Sequence, residues 1–475
     1  MINNITRAEQ SDTPLRRELK SRHLQLIALG GIIGSGYFLG TAEVLRTVGP
    51  AAVLAYAFGG LIVICVMLCL GELTVAAPVP GSFVTYSRHL ISPIWACGVG
   101  WSYWITWVTY VPAEMIAAGM IMESFVPEIG RLWWSLAFGA MITGINLFYV
   151  KAFGEVEFWL SLVKIAAIVL FAVLAFAILV GVAGPGPGTV PLRSNDVLLT
   201  NYWALLSTMV LVLVNFQGAE IIGLAAGESE EPSRNVGIAV RNVAWRIVLL
   251  YVMPLTLLVC IFPWNEAEVS QSVFAAALER HGFLWAAAIF SLVVLSAAVS
   301  CSNSGLYSCS RALFALAREG LAPAWLGRTN RFGIPQNATL LSIAGCWVAL
   351  LMQVIDPADL FVKLLAMSGF SGAVAWISIC WSQLRFRRER EFADNPARLN
   401  FSVPLFPYLT HFAIWAQVGC LCLMATSDSL RDPLLFGVPA LLVPMIWYWA
   451  RKRWFGRPPG LAQEQESRPL KMPAR

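Results

Sequence analysis

The chain has 475 residues, 58% of them hydrophobic and 13% charged, with a formal net charge of +5 and a mean hydropathy of +0.68. Charged residues are about half as frequent as in an ordinary soluble domain, which excludes a water-soluble globule. The basic residues are scattered among apolar runs rather than gathered in a stripe with surface aromatics, so a nucleic-acid-binding surface is excluded as well.

Residues 1–23 are polar and charged and read as a cytoplasmic N-terminal segment. They are not a cleavable signal peptide, because the apolar stretch that follows is too long and lacks a small-residue cleavage site. About 20 apolar residues span a bilayer as helix, and twelve such stretches follow: 24–45, 51–77, 93–122, 132–150, 158–183, 202–226, 242–263, 283–308, 338–355, 360–384, 404–426 and 433–450. We number them spans 1–12. The connecting segments on one side carry 26 of the 33 Lys and Arg residues, those on the other carry 6, and Lys164 lies within a span. This asymmetry predicts that both termini are cytoplasmic and that the span number is even.

The Pro- and Gly-rich segment 184–201 reads as an external loop. It divides a first set of five spans (24–183) from a second (202–384). Spans 11 and 12 follow over 385–450 with their preceding cytoplasmic loop, and 451–475 is a basic cytoplasmic tail. The predicted fold is an all-α integral membrane protein of twelve helices. It comprises a five-plus-five inverted repeat with broken helices 1 and 6, and two peripheral helices. Glycines interrupt span 1 (Gly30, Gly31, Gly34, Gly36) and span 6 (Gly218, Gly223). Paired broken helices at corresponding positions of inverted halves point to a mid-membrane transport site.

Four glycines in seven residues of span 1 fit either close helix packing or local unwinding. Unwinding would expose the backbone N–H groups of Gly34, Ser35 and Gly36, beside Ile33, to a substrate carboxylate. In span 6, freed carbonyls around Phe216 and Ala219 would suit an α-ammonium group, and Phe216 could close over it. Glu220, grouped with Phe216 and Ala219 in the candidate ammonium site and gate, is an intramembrane carboxylate, either functional or a hydrogen-bonded anchor to a neighbouring span. In span 3, Tyr103, Trp107, Tyr110 and Glu114 fall on one helical face, and Trp107, Tyr110, Val111 and Glu114 form a candidate side-chain pocket. Glu114 could attract a cationic side chain or carry a proton. Glu72, near the inner end of span 2, reads mainly as structural. Lys164 lies about 9 Å of helix rise into span 5. It either snorkels to the interface or is a buried amine that couples transport to protons. Glu228, at the membrane boundary after span 6, is a candidate inner-gate residue within a largely solvated acidic turn. The ten cysteines read as small buried hydrophobes, and the four histidines lie far apart in sequence, so no metal site is expected. No nucleophile, base and orienting group come together, which argues against an enzyme.

The runs RRELKSRHL (16–24), GGIIGSG (30–36), GEL (71–73), PGSF (80–83), GWSYW (100–104), FGEVEFW (153–159) and FQGAEIIGLAAGESEEP (216–232) resemble the amino acid transporter family of the amino acid–polyamine–organocation superfamily. AAGESEEP, RNVAWR (241–246) and NSGLY (303–307) are most similar to lysine and arginine/ornithine permeases; members for other amino acids more often have AAE in place of AAGES. The resemblance implies proton-driven import of basic L-amino acids (lysine, arginine, ornithine) across a bacterial inner membrane. The proton gradient is the driving force, no cofactor is required, and the lipid bilayer is the surroundings. It assigns the carboxylate site to Gly34–Gly36, the ammonium site and gate to Phe216 and Ala219, and coupling to Lys164. Glu114, Glu220 and Glu228 would be needed for transport. Pro112, just before the span 3 acid, departs from the lysine-permease pattern and leaves the choice among basic substrates open. A neutral, aromatic or broad-range permease is the alternative within the family; an exchanger or membrane sensor lies outside that class, and a regulatory membrane partner is left open.

Overall fold

The computed structural model describes residues 32–79, 81–148, 153–183, 202–226, 232–330, 334–357, 359–388, 401–426 and 428–455. Among these residues there are helices and turns but no strand, as expected where backbone polar groups must be satisfied within each segment. Eight helical stretches are long and apolar enough to cross a membrane, and Trp203–Val214 and Tyr408–Met424 are shorter apolar helices. The chain is a multi-pass membrane protein.

The helices lie on the predicted stretches, some running past the predicted ends, as at Leu284–Arg318, and some stopping short, as at Tyr408–Met424. Span 3 is one helix, Pro93–Phe125; the Ser92 side chain accepts from the Trp95 N–H at 3.2 Å, and Pro93 occupies the first turn, where its missing N–H costs nothing. Span 8 runs over Leu284–Arg318, ten residues beyond the predicted end. Its last turns leave the apolar run but keep Ala, Leu and Arg, all strong helix formers. Gly320 then closes the helix in a left-handed conformation (φ 68°), with the Leu321 N–H reaching the Leu316 carbonyl at 2.8 Å.

Among the described residues, three segments expected as plain connections are α-helical, one of them Pro232–Arg241 between spans 6 and 7. Phe83–Tyr86 and the π-turn Ser87–Ile91 lie between spans 2 and 3. Val273–Arg280 lies between spans 7 and 8; its Phe274 packs against Tyr37, Phe38, Phe171 and Phe290, with centroids 4.9–5.9 Å apart. None of them has the length of a span, so hydropathy alone did not mark them.

Spans 3 and 10 form the centre. Of their most apolar windows 89% and 78% is buried, against 17% for Arg431–Trp454, which leaves span 12 at the periphery with Leu435, Val443 and Ile446 exposed. Small residues permit close approach at the centre. A Cβ at Gly305 of span 8 would lie 2.7 Å from Val111 and equally crowd Trp107, and one at Gly369 of span 10 would lie 2.8 Å from the Val210 carbonyl.

Candidate functional site

Span 1 enters the described structure at Ile32 without regular helix. The Gly34 N–H folds back to the Ile32 carbonyl at 3.2 Å, and a π-turn over Gly36–Gly40 leads into the helix Thr41–Val48. Gly30 and Gly31 lie outside the described residues. The Ser35 N–H, released from the helical pattern, donates to both carboxylate oxygens of Glu114, at 3.0 and 2.9 Å. Glu114 is fully buried and arrives from span 3, on the face that carries Tyr103, Trp107 and Tyr110. The rings of that face stack edge-on, Tyr103 to Trp107 at 6.3 Å and Trp107 to Tyr110 at 5.6 Å. A Cβ on Gly34 would meet the Glu114 carboxylate, the Tyr110 hydroxyl at 2.7 Å and the Cys301 thiol at 3.0 Å; one on Gly36 would meet Asn215 Oδ1 at 2.7 Å. The glycines of the motif are needed where span 1 meets spans 3, 6 and 8.

Span 6 is interrupted in the same layer. Its helices Tyr202–Ser207 and Met209–Val214 give way to turns over 215–220 before Ile221–Ala225 resumes. Gly218 takes φ 103°, a conformation that L side chains rarely adopt. Its N–H turns to the Glu220 carboxylate at 3.1 Å instead of a carbonyl one turn back. Glu220 also accepts from the Tyr103 hydroxyl at 2.9 Å and from Trp376 Nε1 of span 10 at 3.0 Å. Both oxygens are thereby engaged, so Glu220 fulfils the anchoring role that the sequence left open. Gln217 binds span 10 reciprocally, donating to the Ser368 carbonyl at 3.0 Å and accepting from the Ser368 hydroxyl at 2.8 Å.

Ile33, Phe216 and Ala219 line one small cavity with Ile32, Arg246 and Tyr251. The Phe216 ring is buried there against Tyr251 at 4.6 Å and Tyr56 at 6.0 Å. Val111, four residues from Trp107 and three from Glu114, lies at the edge of that face; it packs with Trp107 around Gly305 and also lines an apolar cavity with Ile142, Ile343 and Trp347. Asn215 Oδ1 and the Tyr251 hydroxyl are buried around the breaks without hydrogen-bond partners among the described residues. A polar ligand or water could satisfy them. Glu228 lies outside the described residues.

Lys164 is fully buried rather than snorkelled. Its Nζ donates to the Ser300 hydroxyl at 2.8 Å, which donates to Glu157 Oε1 at 2.6 Å; the ammonium and carboxylate lie 3.9 Å apart. Sequence reasoning missed Glu157, although its seven-residue offset from Lys164 puts both two turns apart on one face. Ser300 arrives from span 8 and carried no sequence signal. Glu72 forms a separate network with Gln383 Nε2 at 2.9 Å, Arg387 Nε at 2.8 Å and the Val403 N–H at 2.6 Å.

A multi-pass apolar bundle with two interrupted helices and buried carboxylates at its centre is the class of protein that this fold and site define. Residues 23–456 match the family model described as Amino acid permease, and the chain belongs to that family. It is 37% identical to the gamma-aminobutyric acid permease of Bacillus subtilis over 94% of this chain and 95% of that one. It is 32% identical to the lysine-specific permease LysP of Escherichia coli over 94% and 95%. In fold it is similar to an Eremococcus coleocola manganese transporter mutant, with a TM-score of 0.58 at 14% identity, covering 91% of this chain and 94% of that structure.

Proposed function

We propose that the chain imports basic L-amino acids into the bacterial cytoplasm with protons, by alternating access of a twelve-span, five-plus-five inverted bundle in the inner membrane, its termini cytoplasmic. The observation that carries this reading is the Ser35 amide: on a broken helix in the buried centre, it already binds a carboxylate. An amino acid would place its own carboxylate on span 1 and its ammonium among the carbonyls of the span 6 break, under Phe216. These are the charges that broken-helix ends favour. The buried Lys164–Glu157 pair supplies a charge couple whose protonation can change between outward- and inward-facing states. The likeness to a lysine-specific permease supports a basic substrate; the likeness to a gamma-aminobutyric acid permease favours a second reading, a permease for neutral amino acids.

Radiolabelled uptake into proteoliposomes under an imposed pH gradient separates these. Lysine, arginine or ornithine should accumulate and compete with one another, and phenylalanine, proline, alanine and 4-aminobutyrate should compete poorly. The reverse pattern would establish the second reading, and accumulation indifferent to the gradient would exclude proton coupling. Lys164→Ala should abolish gradient-driven accumulation and retain substrate counterflow.

A further inference from the structure

The donor that the proposed reading offers to substrate is occupied by the protein itself. Both Glu114 oxygens lie on the Ser35 N–H, and the pairing joins spans 79 residues apart, so it is not a local helix cap. A single N–H cannot hold two carboxylates, because like charges in contact repel strongly away from water. Gly34 keeps the seat open: any Cβ there would strike the carboxylate.

We propose that Glu114 is an internal stand-in for the substrate carboxylate, which leaves the Ser35 amide on taking up a proton and returns when substrate departs. The inference rests on the amino acid reading above. One proton from the outer aqueous side converts the Glu114 carboxylate to a neutral acid, and the substrate carboxylate takes its place, so the charge on the amide is unchanged. On the inner side the substrate leaves, the acid gives up its proton, and Glu114 re-seats. The other titratable groups facing Glu114 are Tyr110 on its own span, Cys301 of span 8 and Lys164 of span 5; beyond these lie Glu157 of span 5 and Tyr251 of span 7. Lys164 contacts Ser300 and Glu157, and beside the Ser35 amide the Tyr110 hydroxyl also donates to the Glu114 carboxylate; the amide is the donor that a substrate carboxylate would claim. This assigns Glu114 a role different from attracting a cationic side chain. Such a contact would be lost on neutralisation, whereas a stand-in, once neutralised, ceases to compete.

Calorimetric titration of the purified full-length protein with L-lysine, L-arginine, L-alanine and 4-aminobutyrate, from about pH 5.5 to 8, tests this. Wild-type affinity should fall as pH rises, approaching about tenfold per pH unit. Binding at the alkaline end should take up about one proton per amino acid, read from buffers of different ionisation enthalpy. Glu114→Gln should bind about as tightly as acidified wild type, with a flat pH profile and no proton uptake. Weaker binding by Glu114→Gln at every pH, or a slope it retains, overturns the proposal. Wild-type binding without proton uptake overturns it too, whether or not the variant folds. Binding of a neutral amino acid alone, with the expected slope, would overturn the basic-substrate reading and leave the stand-in standing; no binding by any of the four overturns both.

Discussion

The two helix breaks solve the same problem with different partners. Each frees a backbone N–H in the buried centre, and each gives it to a glutamate: Ser35 to Glu114, Gly218 to Glu220. Glu220 sits two residues from the amide it holds and is further fastened by Tyr103 and Trp376. Glu114 reaches over from another span, beside Asn215 Oδ1 and the Tyr251 hydroxyl, which have no hydrogen-bond partner among the described residues. A carboxylate with donors on both oxygens is costly to move, because each donor would be left unpaired. Glu114 has one backbone amide shared by both oxygens and the Tyr110 hydroxyl of its own span, so fewer donors are stranded when it leaves. On the proposal above, the span 6 break serves as framework and the span 1 break as the exchangeable seat.

The comparison is most strongly challenged by Glu220→Ala. It strands the Tyr103 hydroxyl, Trp376 Nε1 and the Gly218 amide, and should destabilise by at least about 3 kcal/mol, read as a lowered unfolding temperature and loss of folded protein in detergent. Glu114→Ala should cost less stability than this while uptake is lost; equal losses would remove the distinction between the two breaks. Gly34→Ala comes next, at about 1–3 kcal/mol from overpacking, with uptake reduced disproportionately because the Glu114 seat is displaced; normal uptake would show that the seat is not used. Tyr103→Phe removes one of the three donors to Glu220 and should cost about 1 kcal/mol, with substrate affinity unchanged.

The smallest effect lies outside the spans. Burial pushes the imidazole of His89, in the segment between spans 2 and 3, below the ordinary histidine range; Glu319 opposes this less strongly, and Arg88 adds to it. The unfolded chain then binds this proton more readily than the folded one. The His89 contribution to stability is therefore present above the ordinary histidine pKa and is lost as pH falls below it. Thermal unfolding at about pH 7.5 and 5.5 should show a slightly shallower acid loss for His89→Asn than for wild type.

The apolar stretches were legible because bilayer thickness sets a length that hydropathy can count. The breaks were legible because glycines are costly in helix interiors. Within the site, the face formed by Tyr103, Trp107, Tyr110 and Glu114, with Val111 at its edge, followed from helical periodicity. Glu157 was readable by the same rule from Lys164 and was overlooked. The helix Val273–Arg280 was not readable as a structural element, since eight residues of ordinary amphipathic sequence resemble many loops.

By itself the sequence determined the membrane class, the positions of the apolar helices and which few charges lie among them, because these depend on composition and on periodicities within single segments. The tertiary structure decided what those charges do. Glu220 meets Trp376 across 156 residues and Glu114 meets Ser35 across 79, and no local pattern encodes such pairings. They exist because the central packing of spans 3 and 10 brings those atoms within hydrogen-bond distance, where a buried carboxylate must find a donor.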